Sequence, residues 1–267
     1  MKKLTVFAVA FAAIVLASCG GNKSTQNVEE TDSLKSFEQE QIEASIKMHL
    51  DSLGAELGKL KKLPVGTTDE GAIVLSKEEK QVKPDFLLDP AIAENATTLA
   101  EKYRVLTALQ VDKEIAKLYE MSTDDYDKAI TKLLADINDP SFKSIEDEGS
   151  LYEATETLYN AMNANGRINY FWQMAATSLV EQLFITAQKS DDLIAAFNDD
   201  AAANSTFRIV LLKDAINRLT EYDPDIIPVA EAIEPLDVLN ATSVDELKSQ
   251  LAEAKEKLAA SRAALLK

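Results

Sequence analysis

The chain has 267 residues, a formal charge of −17 at neutral pH, a single histidine and a single cysteine. So acidic a molecule, with no basic patch, repels nucleic-acid phosphates and anionic headgroups, which argues against any phosphate-backbone partner. One thiol closes no disulfide within a chain, and one histidine beside one cysteine excludes the usual zinc sites.

Lys2 and Lys3 precede an apolar run, residues 4–17, broken only by Thr5. This has the form of a signal peptide. Ser18, Gly20, Gly21 and Asn22 end the run short of the about 20 apolar residues that a spanning helix needs. At its end, Leu16-Ala17-Ser18-Cys19 resembles the lipobox of bacterial lipoproteins. The resemblance implies that residues 1–18 are removed and that Cys19 carries diacylglycerol. Each buried methylene contributes about 0.8 kcal/mol, so two or three acyl chains make a lasting anchor. Removal of residues 1–18 also takes Lys2 and Lys3, leaving the mature chain still more acidic.

Residues 19–33 are polar, lack a helical apolar period and read as a lipidated tether; flexible, they reach roughly 20 Å. Asp32-Ser33-Leu34 and Asp51-Ser52-Leu53 resemble the D-[ST]-apolar acceptor motif of O-glycosylation in Bacteroidota. That resemblance makes Ser33, in the tether, and Ser52, on a helix, candidate acceptors.

From residue 34 onward the pattern is helical. Ile46, Leu50, Leu53, Leu57 and Leu60 recur at alternating steps of four and three, predicting a first helix over 34–63 that Pro64, Gly66 and Thr67 end. Only GAIVL, residues 71–75, has the composition of a strand. KPDFLLDP, residues 83–90, is extended or turned, because residues before proline avoid the helical region. A second helical region covers 91–121, with a break near Val111 and Asp112. Ser122 or Thr123 caps a third helix that stops before Asp139, and a fourth runs over 151–163.

Residues 168–188, INYFWQMAATSLVEQLFITAQ, are apolar on most faces and form the expected central helix. Asn169, Gln173, Thr177, Ser178, Glu181 and Gln182 interrupt them too often for a membrane span. Further helices are expected over 191–198, 206–222 and 226–233. The last is capped by Thr242 or Ser243, with Glu246 in the capping-box position, and its Val244, Leu247, Leu251, Ala254, Leu258, Ser261 and Leu265 keep a 3-4 spacing. The pattern predicts an all-α multi-helix bundle of roughly eight helices, residues 34–267 forming a single domain. Its long amphipathic first and last helices share a heptad-type period that suits pairing; ordinary membership of one bundle is favoured over a projecting stalk.

Little in the chain speaks of catalysis. His49 lies beside the apolar row of the first helix, as an edge or solvent-facing residue, and no G-x-S-x-G elbow supplies a nucleophile. Among 45 acids, carboxylate pairs fall within reach of one another by chance. DDYD at 124–127 suits a first helical turn and NDD at 198–200 a helix exit; neither fits the D-x-[DN]-x-[DN]-G calcium loop. No glycine fingerprint for a nucleotide is present. No cofactor, metal site or enzymatic activity is expected.

Glu181 is the acid that stands out. It sits in the most apolar helix on a slowly drifting polar row with Gln173 and Thr177. A buried carboxylate needs a partner, and Arg208 or Arg167 is the candidate. The arrangement is either an interhelical ion pair or the polar wall of a small-ligand pocket.

VKPDFLLDPAIAENATTLAEKYRVLTALQVDKEIAKLYEM and NYFWQMAATSLVEQLFITAQ resemble segments of helical, lipidated outer-membrane proteins of Bacteroidota. The resemblance implies helices, export and lipid, and carries over no activity. Gly20 and Gly21 supply no Asp retention signal of the enterobacterial kind, so the outer membrane is the expected location. An acidic surface-export cluster would follow the cysteine closely; here Lys23 intervenes and Glu29, Glu30 and Asp32 come late, leaving the periplasmic and surface faces both open. The expected role is a membrane-anchored binding or scaffolding module whose partners are the bilayer, through Cys19, and envelope proteins. A small-molecule-binding bundle with a polar pocket near Glu181 comes second, and a carboxylate-dependent hydrolase last.

Overall fold

A computed structural model of the protein describes residues 27–61, 63–65, 73–145 and 155–267. The chain divides into two units, Met1–Ser45 and Ile46–Lys267. In the first, the described residues are the opening of α1 (Asn27–Lys59), so 27–33 is helical where a tether was expected. The lipobox-like residues 16–19 lie outside the described residues. The compact body starts at Ile46, later than residue 34, and α1 stops at Lys59 rather than 63.

The body is all-helical, and no strand occurs among the described residues. After α1 come α2 (Leu99–Leu118), α3 (Asp124–Ile137), α4 (Thr155–Ala164) and α5 (Ile168–Gln188). A single turn, α6 (Ser190–Leu193), leads to α7 (Asp199–Leu219), α8 (Ile227–Ile233) and α9 (Val244–Leu265). Short 3-10 turns join them, including Pro90–Glu94 before α2 and Glu234–Val238 after α8. Ile73, Val74 and Leu75 of the strand-like stretch are irregular.

α5 is the axis of the body, as its composition predicts: every residue from 179 to 187 is buried. It packs between α2 and α9, with α4 and α7 also against it. Leu247, Leu251 and Leu258 of α9 are sealed in this core, each contributing about 1.5–3 kcal/mol of burial. No described helix is long and apolar enough to cross a membrane.

Several local features differ from the sequence reading. The expected helix over 191–198 is one α turn and one 3-10 turn, and α7 starts at Asp199 rather than 206. Three further cases have their reason in named hydrogen bonds. Residues 91–121 are not one helix with a break at Val111. α2 begins only at Leu99, where the Thr98 hydroxyl accepts from the Glu101 amide while the Glu101 carboxylate accepts from the Thr98 amide, and it runs unbroken past Asp112. NDD is a helix entrance, not an exit: the Asn198 side chain accepts from the Ala201 amide at 2.9 Å, and Asp199 and Asp200 occupy the positive first turn of α7. At α9 the cap is Ser243, yet the Glu246 carboxylate returns to the amide and hydroxyl of Thr242.

Both terminal helices belong to the bundle and bury their apolar rows in it. α9 lies on α5 and α8. The body portion of α1 meets α4, through Gly54 against Tyr159, and α7, through His49 against Asp214.

Candidate functional site: a buried carboxyl pair held by Arg262

Four segments distant in sequence meet around Glu181. α5 contributes Glu181 itself, α2 contributes Asp112, α9 contributes Arg262, and an irregular strap, residues 84–89, crosses them. Pro84 and Pro90 bracket the strap and keep the residues before them, Lys83 and Asp89, out of helix. Asp112 and Glu181 are 0% and 1% exposed, and the Arg262 side chain 12%.

Arg262 grips Glu181 at both oxygens, Nε to Oε2 at 2.8 Å and Nη2 to Oε1 at 2.6 Å. The same Nη2 reaches Asp112 Oδ2 at 3.2 Å, and Nη1 donates to the Phe86 carbonyl at 2.9 Å. The guanidinium also lies 4.3 Å from the centroid of the Phe184 ring, whose edge-to-face partner is Phe86. Asp112 Oδ2 further accepts from the Leu88 amide at 2.6 Å, and the Tyr126 hydroxyl of α3 donates to the Leu88 carbonyl at 2.8 Å. The strap is thus pinned at Phe86 by a cation and at Leu88 by an acid and a phenol.

Burial pushes the Asp112 carboxyl well above its ordinary 3.8, the neighbouring Glu181 raises it further, and Arg262 opposes both only in part. The Tyr126 phenol is also raised, by burial first and then by Asp112.

Arg208 and Arg167 are not the partners of Glu181. Arg208 reaches the end of α1, where its Nη2 donates to the carbonyls of Leu60 and Lys61 at 3.1 and 2.8 Å. A cation beside the last carbonyls of a helix is well placed, and burial lowers this guanidinium to about 10. Arg167 sits at the entrance of α5 over the Tyr170 ring.

The polar row on α5 is buried throughout but divides between two networks. Gln173 Oε1 accepts from Arg104 Nη1 at 2.7 Å, and Arg104 Nε donates to the Leu265 carbonyl at 2.6 Å, so this cluster closes the end of α9. Thr177 turns back on its own helix, its hydroxyl donating to the Gln173 carbonyl. Only Glu181 joins Arg262.

The remaining candidates are dispersed. His49 Nε2 lies 2.8 Å from Asp214 Oδ2 near the surface. Burial would raise Asp214, but His49 and Arg218 outweigh it and hold the carboxyl below its usual range. Ser33 and Ser52 both fall on α1, Ser52 exposed, with the adjacent Asp51 engaged by the Tyr159 hydroxyl and the Asn163 amide. No group of three potential metal ligands occurs among the described residues. Asp112 and Arg262 are the site residues that the sequence did not single out. The signal for Asp112 was an acid inside an apolar helical run, the same signal that drew attention to Glu181.

Chemically, the site is a charge cluster closed by its own side chains. Both carboxyls are buried on Arg262, and Asp112 also holds the strap through the Leu88 amide. Compared with models of protein families, with curated proteins and with solved structures, the chain has no match in any of the three.

Proposed function

We propose that this is a lipid-anchored lipoprotein of a bacterial outer membrane, whose helical body acts as a non-enzymatic binding or scaffolding module in the envelope. The observation that carries the reading is Leu16-Ala17-Ser18-Cys19, the only cysteine of the chain placed where an apolar signal run ends. The body supports it from another side. Its buried and half-buried arginines serve internal ends: Arg262 holds Glu181 and the strap, Arg104 closes α9, and Arg208 caps α1. The pocket reading near Glu181 has less support, since Arg262 and Asp112 occupy the carboxylate from within.

Replacement of Cys19 tests the anchor. In cells, Cys19→Ala should move the protein from the membrane to the soluble fraction with its helical circular-dichroism spectrum unchanged. Radiolabelled palmitate still entering the Cys19→Ala protein would sink the lipoprotein reading. Proximity labelling from the wild-type body then identifies the envelope proteins it meets.

A further inference from the structure

Two buried oxygens at the centre of the cluster, Asp112 Oδ1 and Glu181 Oε1, have no hydrogen-bond donor of good geometry. The two carboxyls nevertheless crowd one nitrogen: Arg262 Nη2 lies 2.6 Å from Glu181 Oε1 and 3.2 Å from Asp112 Oδ2. Two ionised carboxylates cannot donate to one another, and like charges at such a distance, sealed from water, do not both ionise. The charged and titratable groups around the pair are Arg262 from α9 and Tyr126 from α3, with Asp89, at the end of the strap, acting on Tyr126. Only Arg262 is a cation, and the Tyr126 hydroxyl is already given to the Leu88 carbonyl. One positive charge balances one negative charge.

We propose that Asp112 and Glu181 hold a single proton between them, and that this shared proton is the latch that keeps the strap of residues 84–89 closed over the body. The proton resides on Asp112. Glu181 takes both close contacts from Arg262, at 2.8 and 2.6 Å, whereas Asp112 has one longer contact at 3.2 Å. The protonated Asp112 donates to Glu181 through Oδ1 and accepts from the Leu88 amide through Oδ2. Asp112 Oδ1, which has no other partner, is thereby satisfied, and Glu181 gains a hydrogen bond beside its charge contacts with Arg262.

Removing the proton leaves two adjacent anions against one cation in a dry site. Water relieves that imbalance by entering at the weakest cover. The helices beneath are sealed, with Val111, Leu183 and Ile185 at 0%, whereas Phe86, Leu87 and Leu88 of the strap are only partly buried. The strap is the part that lifts. Opening is then coupled to release of one proton, so its equilibrium constant rises about tenfold per pH unit. The rise starts just above the ordinary Asp value of 3.8 and levels off once the closed form has itself lost the proton.

The mature full-length chain tests this directly. With carbon-13 in the Asp and Glu carboxyls, nuclear magnetic resonance at neutral pH should show one protonated carboxyl, and Asp112→Asn should abolish that signal. Asparagine keeps the donor and the acceptor of a protonated aspartic acid but cannot lose a proton. Amide exchange at Phe86, Leu87 and Leu88 should therefore gain about tenfold per pH unit in the wild type over Asp112→Asn across the window above. A wild-type spectrum with every carboxyl ionised at neutral pH would overturn the shared proton, whether or not the variant folds. Identical pH profiles of strap exchange in the two proteins would overturn the latch.

Discussion

Gly54 of α1 lies so close to Tyr159 of α4 that a β-carbon there would stand 2.5 Å from the ring atoms Cε2 and Cζ. The ring has little freedom to withdraw. Its hydroxyl donates to Asp51 at 2.8 Å, and Phe171 and Trp172 meet it edge-to-face at centroid distances of 5.1 and 6.1 Å. Gly54→Ala gains about 1 kcal/mol of helix propensity and loses about 1–3 kcal/mol to overpacking, a net destabilisation. Gly58 is the control, since its β-carbon would meet the nearest Glu156 atom at an ordinary 3.6 Å. Gly58→Ala should stabilise the body by about 0.5–1 kcal/mol. Urea midpoints at equal slope should move in opposite directions for the two variants.

The carboxyl pair predicts a non-additive cycle. In Asp112→Asn, Glu181 still balances Arg262; in Glu181→Gln, Asp112 ionises and takes over. Each single change should therefore be mild. The double variant strands a guanidinium whose side chain is 12% exposed, at a cost of about 3–5 kcal/mol. Additive urea midpoints would show that the two acids do not substitute for each other.

The pH dependence of global stability has a definite sign at Asp112. Its folded value is raised, so between 3.8 and that value the folded chain binds the proton that the unfolded chain releases. This group's contribution is most favourable below 3.8 and declines as pH rises through the window. Asp112→Asn should remove the alkaline-side slope, read as the difference between denaturation free energies of the two proteins measured from acid to neutral pH.

At the start of α2 the sign is opposite. Hydrogen bonds from the Thr98 and Thr97 amides hold Glu101 below its usual range, so its contribution is present above the unfolded value and lost as pH falls through the folded one. Thr98→Ala removes the other half of the same reciprocal cap and should cost about 1 kcal/mol. Loss of protection in the first turn of α2 by hydrogen exchange would mark the effect as local.

α5 and α9 were legible because apolar period and capping are local properties, visible in a window of twenty residues. Asp112 was misread for the same reason. An acid amid Val111, Ile115 and Ala116 looks like an interruption unless its partner is known, and Arg262 stands 150 residues away. Glu181 raised the right question, yet its answer lay beside Ser261, a buried member of the α9 row, where Arg262 reads as a solvent-facing charge. Asn198 shows a different limit. An asparagine suits either end of a helix, and only the amide of Ala201 decides which.

The reach of Arg262 also sets an order of assembly. Its contact with the Phe86 carbonyl spans 176 positions, and the clasp of Arg104 on the Leu265 carbonyl spans 161. Both closures wait for α9, so a chain emerging from its N-terminus carries α2, the strap and α5 without the arginine that binds them together. Long-range closures of this kind are slow and come late. Until α9 emerges, Glu181, Asp112 and the Phe86 carbonyl all lack the guanidinium that joins them in the finished body.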